Sequence, residues 1–327
     1  MSGSAIDTAV RILRAGGLVA FPTETVYGLG ADAANRRAVR RIFEAKGRPA
    51  DHPVIVHLAS TDQLAQWARE IPPAVARLTQ RFWPGPLTLI LKRAPGVHDE
   101  VTGGQDTVGL RVPAHPLAQA LLQAFGGGIA APSANRFGRI SPTTAQHVRD
   151  ELGDRVDLIL DGGACPVGIE STILDLSSGA PVLLRPGHIG SAELEVALGM
   201  PVSRPTGAAP RASGMLAAHY APSTPLLLVA SADLAATVRE QGTRGPVAVL
   251  ARHPRPAGAE AQTWKVAPAK SDEYARMLYA TLRELDESGC AVIVVEAPPQ
   301  ASDWVAVHDR LRRSAAGSTV DSTDDTP

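Results

Sequence analysis

The chain has 327 residues, 44% of them hydrophobic and 20% charged, with 32 basic against 33 acidic side chains and a formal charge of -1. That length favours two domains, each able to bury a core. The balanced charge excludes a global field that would draw the protein onto nucleic acid or a membrane, so any anion site must be local.

In chain order, Ser4 is the expected cap of a first helix whose Ile6, Val10 and Leu13 share one face and which Gly16-Gly17 ends. "LVAF" reads as a buried strand. It runs into "FPTETVYGLG", residues 21–30, where a proline, short hydroxyls and two glycines suggest a turn around a small polar ligand. "NRRAVRRIFEAKG" is a helix with Asn35 as its cap and Gly47 as its stop. The strand "PVIVHLA", the helices "TDQLAQWARE" and "PAVARLTQRFW", the strands "PLTLILK" and "TVGLRVP" and the helix "PLAQALLQAF" follow. "IAAPSANRFGRISP" reads as loop, "TTAQHVRDEL" as helix, and "DLILDGG", "STILDLS" and "PVLLRP" as consecutive strands. This mixed order implies an α/β catalytic domain with a partly antiparallel sheet over residues 1–202.

Residues 203–225 are proline-rich without a sustained period and read as a linker. Residues 226–315 alternate apolar strand runs with helices, which implies a small parallel α/β domain, and the polar stretch 316–327 reads as a disordered tail. Cys165 and Cys290 match no zinc or redox spacing, which fits a reducing compartment. The start lacks a signal-like apolar run and no stretch reaches transmembrane length, so the cytoplasm is the expected address.

Several short stretches could carry chemistry. Lys46 and Arg48 straddle a helix-ending glycine: two cations at such a corner suit phosphate oxygens, although compensation of the helix dipole is the more ordinary reading of this stretch alone. Arg36, Arg37, Arg40 and Arg41 form a helical stripe that could meet RNA phosphates or simply be a solvated face. "APSANRFGRISPT" is rich in hydroxyls and amides, with Ser133 and Asn135 alternating along it. Glu170, Ser171 and Thr172 enter one strand, and Arg185 ends another, where a surface ion pair is the ordinary reading. HExxH, GxSxG and Walker-type loops are absent from the sequence, so no metal ligand is assigned and a bound nucleotide would need another cradle.

"FPTETVYGLG", "KGRP", "PVIVH", "WPGPLTLIL", "VGLRVP", "PSAN", "GIESTILD" and "LRPG", in this order, resemble the YrdC/Sua5 family of threonylcarbamoyl-AMP synthases, and "HYAP" followed by a second domain resembles its longer, Sua5-type members. The resemblance implies an N-terminal YrdC-like twisted mixed sheet with helices, plus a smaller C-terminal Rossmann-like parallel α/β domain. It implies an enzyme that condenses L-threonine, bicarbonate or CO2 and ATP into threonylcarbamoyl-AMP and pyrophosphate. A separate transferase would then use the product to form N6-threonylcarbamoyladenosine at tRNA position 37. The carbamate of threonine must attack the α-phosphorus of ATP, so two anions approach each other and cations are needed more than a nucleophile.

By resemblance, Thr25, His57, Arg111, the Ala131 backbone and Ser171 bind threonine. Lys46, Arg48, His52, Thr107, Ser133, Asn135, Ser141, Arg185 and Tyr220 bind ATP, and the quartet Lys46, Arg48, Ser133 and Asn135 stabilises the reacting phosphates. Magnesium (Mg2+) is implied on the phosphate oxygens. His52 stands where many relatives have Asn. The linker is the expected lid over a hydrolysable anhydride, so deleting residues 203–327 is expected to raise product leakage, and unchanged kinetics would count against a lid. Two other readings are a carbamoyl-adenylating enzyme of the hydrogenase-maturation type, whose zinc-finger cysteines this chain lacks, and a non-catalytic RNA-binding module; weak tRNA contact is expected at most.

Overall fold

Helix α1 (Ser2–Arg14) buries Ile6, Ala9, Val10 and Leu13 on one face. It starts two residues ahead of Ser4, whose carbonyl accepts a hydrogen bond from Thr8 within the helix, so Ser4 is not the cap. The structure is a computed structural model that describes residues 2–205 and 209–320. The chain divides into two units: Met1–Phe137 with Pro142–Met215, and Gly138–Ser141 with Leu216–Pro327.

In the first unit α1 is followed by β1 (Val19–Phe21), β2 (Gly28–Asp32), α2 (Arg36–Lys46), β3 (Ile55–His57), α3 (Leu64–Trp67), α4 (Ala74–Phe82), β4 (Leu87–Lys92), α5 (Asp99–Thr102) and β5 (Thr107–Arg111). Then come α6 (Pro116–Phe125), β6 (Ile129–Ala130), α7 (Ala145–Leu152), β7 (Leu158–Ile159), β8 (Thr172–Asp175), β9 (Val182–Arg185) and α8 (Ser191–Leu198). The strands form one mixed sheet of order β7-β1-β2-β6-β3-β5-β4-β8-β9. Its two faces carry separate cores: Val19, Phe21 and Ile129 pack with residues of α1 and α6, whereas Ala20, Leu29 and Ala130 pack with Val39, Ile42 and Phe43 of α2.

Asn35 caps α2 by accepting from the backbone of Arg37 and Ala38, and Gly47 ends it in the left-handed region at φ 62°. Where the structure departs from the sequence reading, pairing partners decide. The expected turn at Gly28 and Gly30 is instead strand β2. A Cβ at Gly30 would stand 2.8 Å from the Phe21 ring and 2.9 Å from Ile129, so these glycines admit neighbours and do not bend the chain. "IAAP" begins with strand β6, not loop, because Ala130 pairs with both Ala31 and Val56. The expected helix over "TDQLAQWARE" shrinks to a 3-10 turn and α3, since Ala68 turns extended to bridge Arg93 beside β4. The short α5 and the helix α8 have no counterpart in the sequence reading.

The second unit holds β10 (Leu226–Val229), α9 (Leu234–Gly242), β11 (Val247–Ala251), β12 (Thr263–Val266), α10 (Ser271–Asp286), β13 (Val292–Glu296) and α11 (Val305–Val320). Its four strands are all parallel, in the order β10-β13-β11-β12, as the alternating pattern implies. Residues 209–215 of the expected linker group with the first unit and residues 216–225 with the second. The expected tail is helical as far as Val320, and 321–327 lie outside the described residues. No helix among the described residues is long and apolar enough to cross a membrane.

Candidate active site

Two neighbouring strand ends place the first group of side chains. Strands β3 and β5 run parallel with His57 opposite Arg111, so an imidazole and a guanidinium emerge side by side at their carboxyl ends. Arg111 is 3% exposed. Its Nε donates to the Gly85 carbonyl (3.2 Å), its Nη1 to Thr25 Oγ1 (2.9 Å), and its Nη2 lies 2.6 Å from Glu24 Oε1. Thr23 braces this turn: its hydroxyl contacts Thr25 Oγ1 at 2.8 Å and donates to the Val26 carbonyl. Glu24 closes it by accepting from the Ala114 backbone N–H at 3.0 Å. The "TET" stretch is therefore a buried polar turn built to hold one arginine fork.

His57 lies edge-on to Phe21, with ring centroids 5.9 Å apart. Burial first, and the Arg111 charge second, push its pKa down from the usual 6.5 to about 3. The imidazole is neutral throughout the neutral range, so it presents a fixed hydrogen-bonding surface and no added charge. Because the folded value lies below the unfolded one, the unfolded chain binds the extra proton. Stability from this group is complete above pH 6.5 and falls as pH drops towards 3. We expect the wild type to lose about 2 kcal/mol more than His57→Asn between pH 7 and pH 5 in urea unfolding. Identical losses in the two proteins would contradict a buried neutral imidazole.

A second group converges from α2, the loop after β6 and the strand pair β8–β9. Lys46 is 3% exposed and its Nζ donates to the backbone carbonyls of Ser133 and Asn135. Of the two explanations for this residue, dipole compensation is the weaker, because Nζ donates to carbonyls of the loop after β6 and not to the last carbonyls of α2. Ser133 bridges Gly28, and Ala134 N–H donates to the Tyr27 carbonyl, which ties "PSAN" to the opening stretch. Arg48, 8% exposed, donates through Nη2 to the Pro53 carbonyl (2.8 Å) and to Ser213 Oγ (3.3 Å). Arg185 is no surface ion-pair partner: it is 3% exposed and donates to Ser171 O (2.9 Å), Ser171 Oγ (3.2 Å) and the Ser213 carbonyl (2.8 Å). Ser171 Oγ contacts Thr88 Oγ1 at 2.8 Å, on the strand that pairs with β5. One chain of hydrogen bonds thus runs from Arg48 through Ser213, Arg185 and Ser171 to Thr88.

Ser213 belongs to the strap of residues 209–215, where Arg211 also donates to the Gly103 carbonyl and pairs with Gln105. Thr107, Ile55, Ile90, Ile173, Arg211 and Ser213 line a small cavity beneath this strap. His52 is half-buried, stands edge-on to Phe137 at 5.4 Å, and has its pKa lowered by burial and then by Arg48. The Ala131 backbone N–H donates to the Ile55 carbonyl, which sets that peptide beside His57. Ser141 and Tyr220 belong to the second unit. There Ser141 is fully buried and the Tyr220 ring packs against His219 (4.2 Å), Tyr279 (5.7 Å) and the Arg310 guanidinium (5.3 Å).

Glu24, Thr23, Thr88 and Ser213 were not assigned from sequence. Only Glu24 and Thr88 carried a signal, as a carboxylate between two threonines and as the one hydroxyl inside an apolar strand. The basic stripe on α2 is partly paired: Arg36 and Arg40 share Glu100, and Arg41 pairs with Asp157, so two carboxylates face four arginines. Among the described residues no group of three or more His, Cys, Asp or Glu could hold a metal ion. A magnesium ion therefore has no carboxylate cage to enter and fits this cationic site only as a companion of phosphate oxygens.

The profile of the Sua5–YciO–YrdC family, described as "Telomere recombination", matches residues 11–187, and that of the threonylcarbamoyl-AMP synthase C-terminal domain matches residues 189–316. The threonylcarbamoyl-AMP synthase of Pyrococcus abyssi is 41% identical over 95% of this chain and 94% of its own length. That of Bacillus subtilis is 40% identical over 96% and 94%. The solved structure of Pyrococcus abyssi Sua5 complexed with L-threonine superposes with a TM-score of 0.88 at 39% identity, covering 96% of this chain and 94% of that one. Escherichia coli YciO superposes over 57% of this chain and 90% of its own, with a TM-score of 0.50 at 29% identity.

Proposed function

This chain belongs to the Sua5–YciO–YrdC family, and from that premise we infer its function: it is a threonylcarbamoyl-AMP synthase, an enzyme that uses ATP as a substrate and binds L-threonine. One observation carries the reading to the residue level. Buried basic side chains flank strand β4 within the first unit: Arg111 lies on its partner β5, and the chain Arg48–Ser213–Arg185–Ser171 ends on Thr88 of β4, with Lys46 beside Arg48.

The roles follow from charge and reach. Arg111, fixed by Glu24 and Thr25, takes the threonine carboxylate, with Thr25, neutral His57, the Ala131 backbone and Ser171 lining the remaining face of the amino acid. Lys46, Arg48 and Arg185 face the triphosphate with Ser133, Asn135 and Thr107, and His52 borders it. The threonine amine bonds to the carbon of bicarbonate, or of the CO2 it yields, with loss of water to give a carbamate, whose oxygen then forms a bond to the α-phosphorus while the bond to the pyrophosphate oxygen breaks. Fixed guanidinium and ammonium groups lower the repulsion between the two anions without reorganising at the moment of reaction. Magnesium accompanies the phosphates, and the strap of residues 209–215 excludes water. The product is handed to a transferase acting on tRNA in the cytoplasm. The partial pairing of the α2 stripe with Glu100 and Asp157 weakens an RNA-binding role.

The test is pyrophosphate release by the full chain. It is expected to require threonine, bicarbonate, ATP and magnesium together. Release that persists without threonine and bicarbonate would reject the assignment.

A further inference from the structure

Lys46 occupies an unusual position for an ammonium group. It is 3% exposed, and no carboxylate of the described residues pairs with it. Its nearest cationic neighbour in sequence, Arg48, repels a charge on it. Glu151, on α7, is the acidic group whose field reaches it, and that carboxylate is itself paired with Arg136 at 3.1 Å. Arg155, on the turn after α7, donates to the Ala45 carbonyl next door. Its other hydrogen bonds are to neutral groups: Phe137 donates its N–H to the Lys46 carbonyl, and the carbonyls of Ser133 and Asn135 accept from Nζ.

Two accepting carbonyls can be satisfied by an amine with two hydrogens, so holding them does not require the third proton of an ammonium. An uncharged –NH2 group satisfies both carbonyls and leaves its lone pair along the remaining tetrahedral direction; an ammonium there would carry a third hydrogen and an uncompensated charge. Burying a charge without a counter-ion is resolved in proteins by loss of the proton, and burial followed by the Arg48 charge lowers the Lys46 pKa well below the usual 10.5. A bound triphosphate reverses this balance, since several negative oxygens then face Nζ.

Resting on the ATP assignment above, we propose that Lys46 is held as the uncharged amine in the nucleotide-free enzyme and takes up one proton as the triphosphate binds. The Nζ lone pair forms a bond to a proton given up by a buffer acid, whose own bond to that proton breaks and leaves the conjugate base in solution, and the charge appears only when its partner anion is present. The phosphate site is then less repulsive towards Arg48 while empty, and nucleotide affinity falls as pH rises.

Calorimetric titration of the full chain with magnesium α,β-methylene ATP at pH 8.5, in buffers of different ionisation enthalpy, counts this proton. At that pH the nucleotide phosphates are ionised and histidines such as His52 are neutral, so neither contributes. We expect net proton uptake, of at most one proton per nucleotide, and a dissociation constant that rises with pH, by at most about tenfold from pH 8 to pH 9. Lys46→Arg, which stays charged at every accessible pH, is expected to bind with no uptake. Zero uptake by the wild type, or equal uptake by Lys46→Arg, would overturn the proposal. Should the variant not bind, the wild-type affinity slope decides, and a flat slope overturns it. Failure of the wild type to bind the nucleotide at all would instead overturn the ATP assignment.

Discussion

Arg48→Ala is expected to lower threonine-dependent pyrophosphate release by on the order of 100- to 1,000-fold, the range found when one preorganised donor to developing charge is removed. Its fold should survive. Arg48 donates to the Pro53 carbonyl and to Ser213 Oγ, and these two groups remain joined without it, because Ser213 Oγ also donates to the Pro53 carbonyl at 3.1 Å. A melting temperature within about 5 °C of wild type is the matching expectation. Arg48→Lys should retain part of the activity, because it keeps the charge but loses the planar fork that can address two oxygens at once. Turnover at the wild-type rate in Arg48→Ala would place that guanidinium outside the reaction.

Arg111→Met should be costly in two ways that can be separated. The Arg111–Glu24 pair is buried, with side chains 4% and 8% exposed, so removing the arginine leaves a carboxylate without a counter-charge. Breaking such a pair costs about 3–5 kcal/mol, whereas replacing both partners with uncharged groups of similar volume is often nearly neutral. The double variant Glu24→Gln/Arg111→Met is therefore expected to regain most of the lost stability, measured by urea unfolding. It should not regain activity, since the threonine carboxylate still lacks its guanidinium. If the single variant is as stable as wild type, the pair does not hold the "TET" turn; if the double variant turns over normally, Arg111 does not bind substrate.

How much of this was legible in the sequence depends on whether the signal was local. Helix α2 was readable to the residue, because its cap Asn35 and its stop Gly47 act through their own backbone neighbourhood. The parallel arrangement of the second unit was readable too, since its two central strands are buried runs with no alternation. Strands β2 and β6 were not. Their glycines and alanines fit a strand only because Phe21, Ile129 and Val56 stand where they do, and residues far apart in sequence decide that. The same holds in the site. Lys46, Arg48, Arg111 and Arg185 drew attention through charge and motif order, but their burial, and the bridging role of Ser213 in the strap, emerge only when the segments are brought together. Glu24 shows the limit most clearly: the sequence displays the carboxylate, while its partner lies 87 residues downstream.

The central claim is that these buried cations let a carbamate of threonine reach ATP. Its most direct test is mass analysis of the nucleotide product made from 13C-bicarbonate, L-threonine and magnesium ATP by the full chain. The account predicts a threonine-containing adenylate that carries the bicarbonate carbon and shifts by one mass unit with the label. An adenylate that forms without the labelled carbon, or AMP released with no threonine adduct, would contradict it.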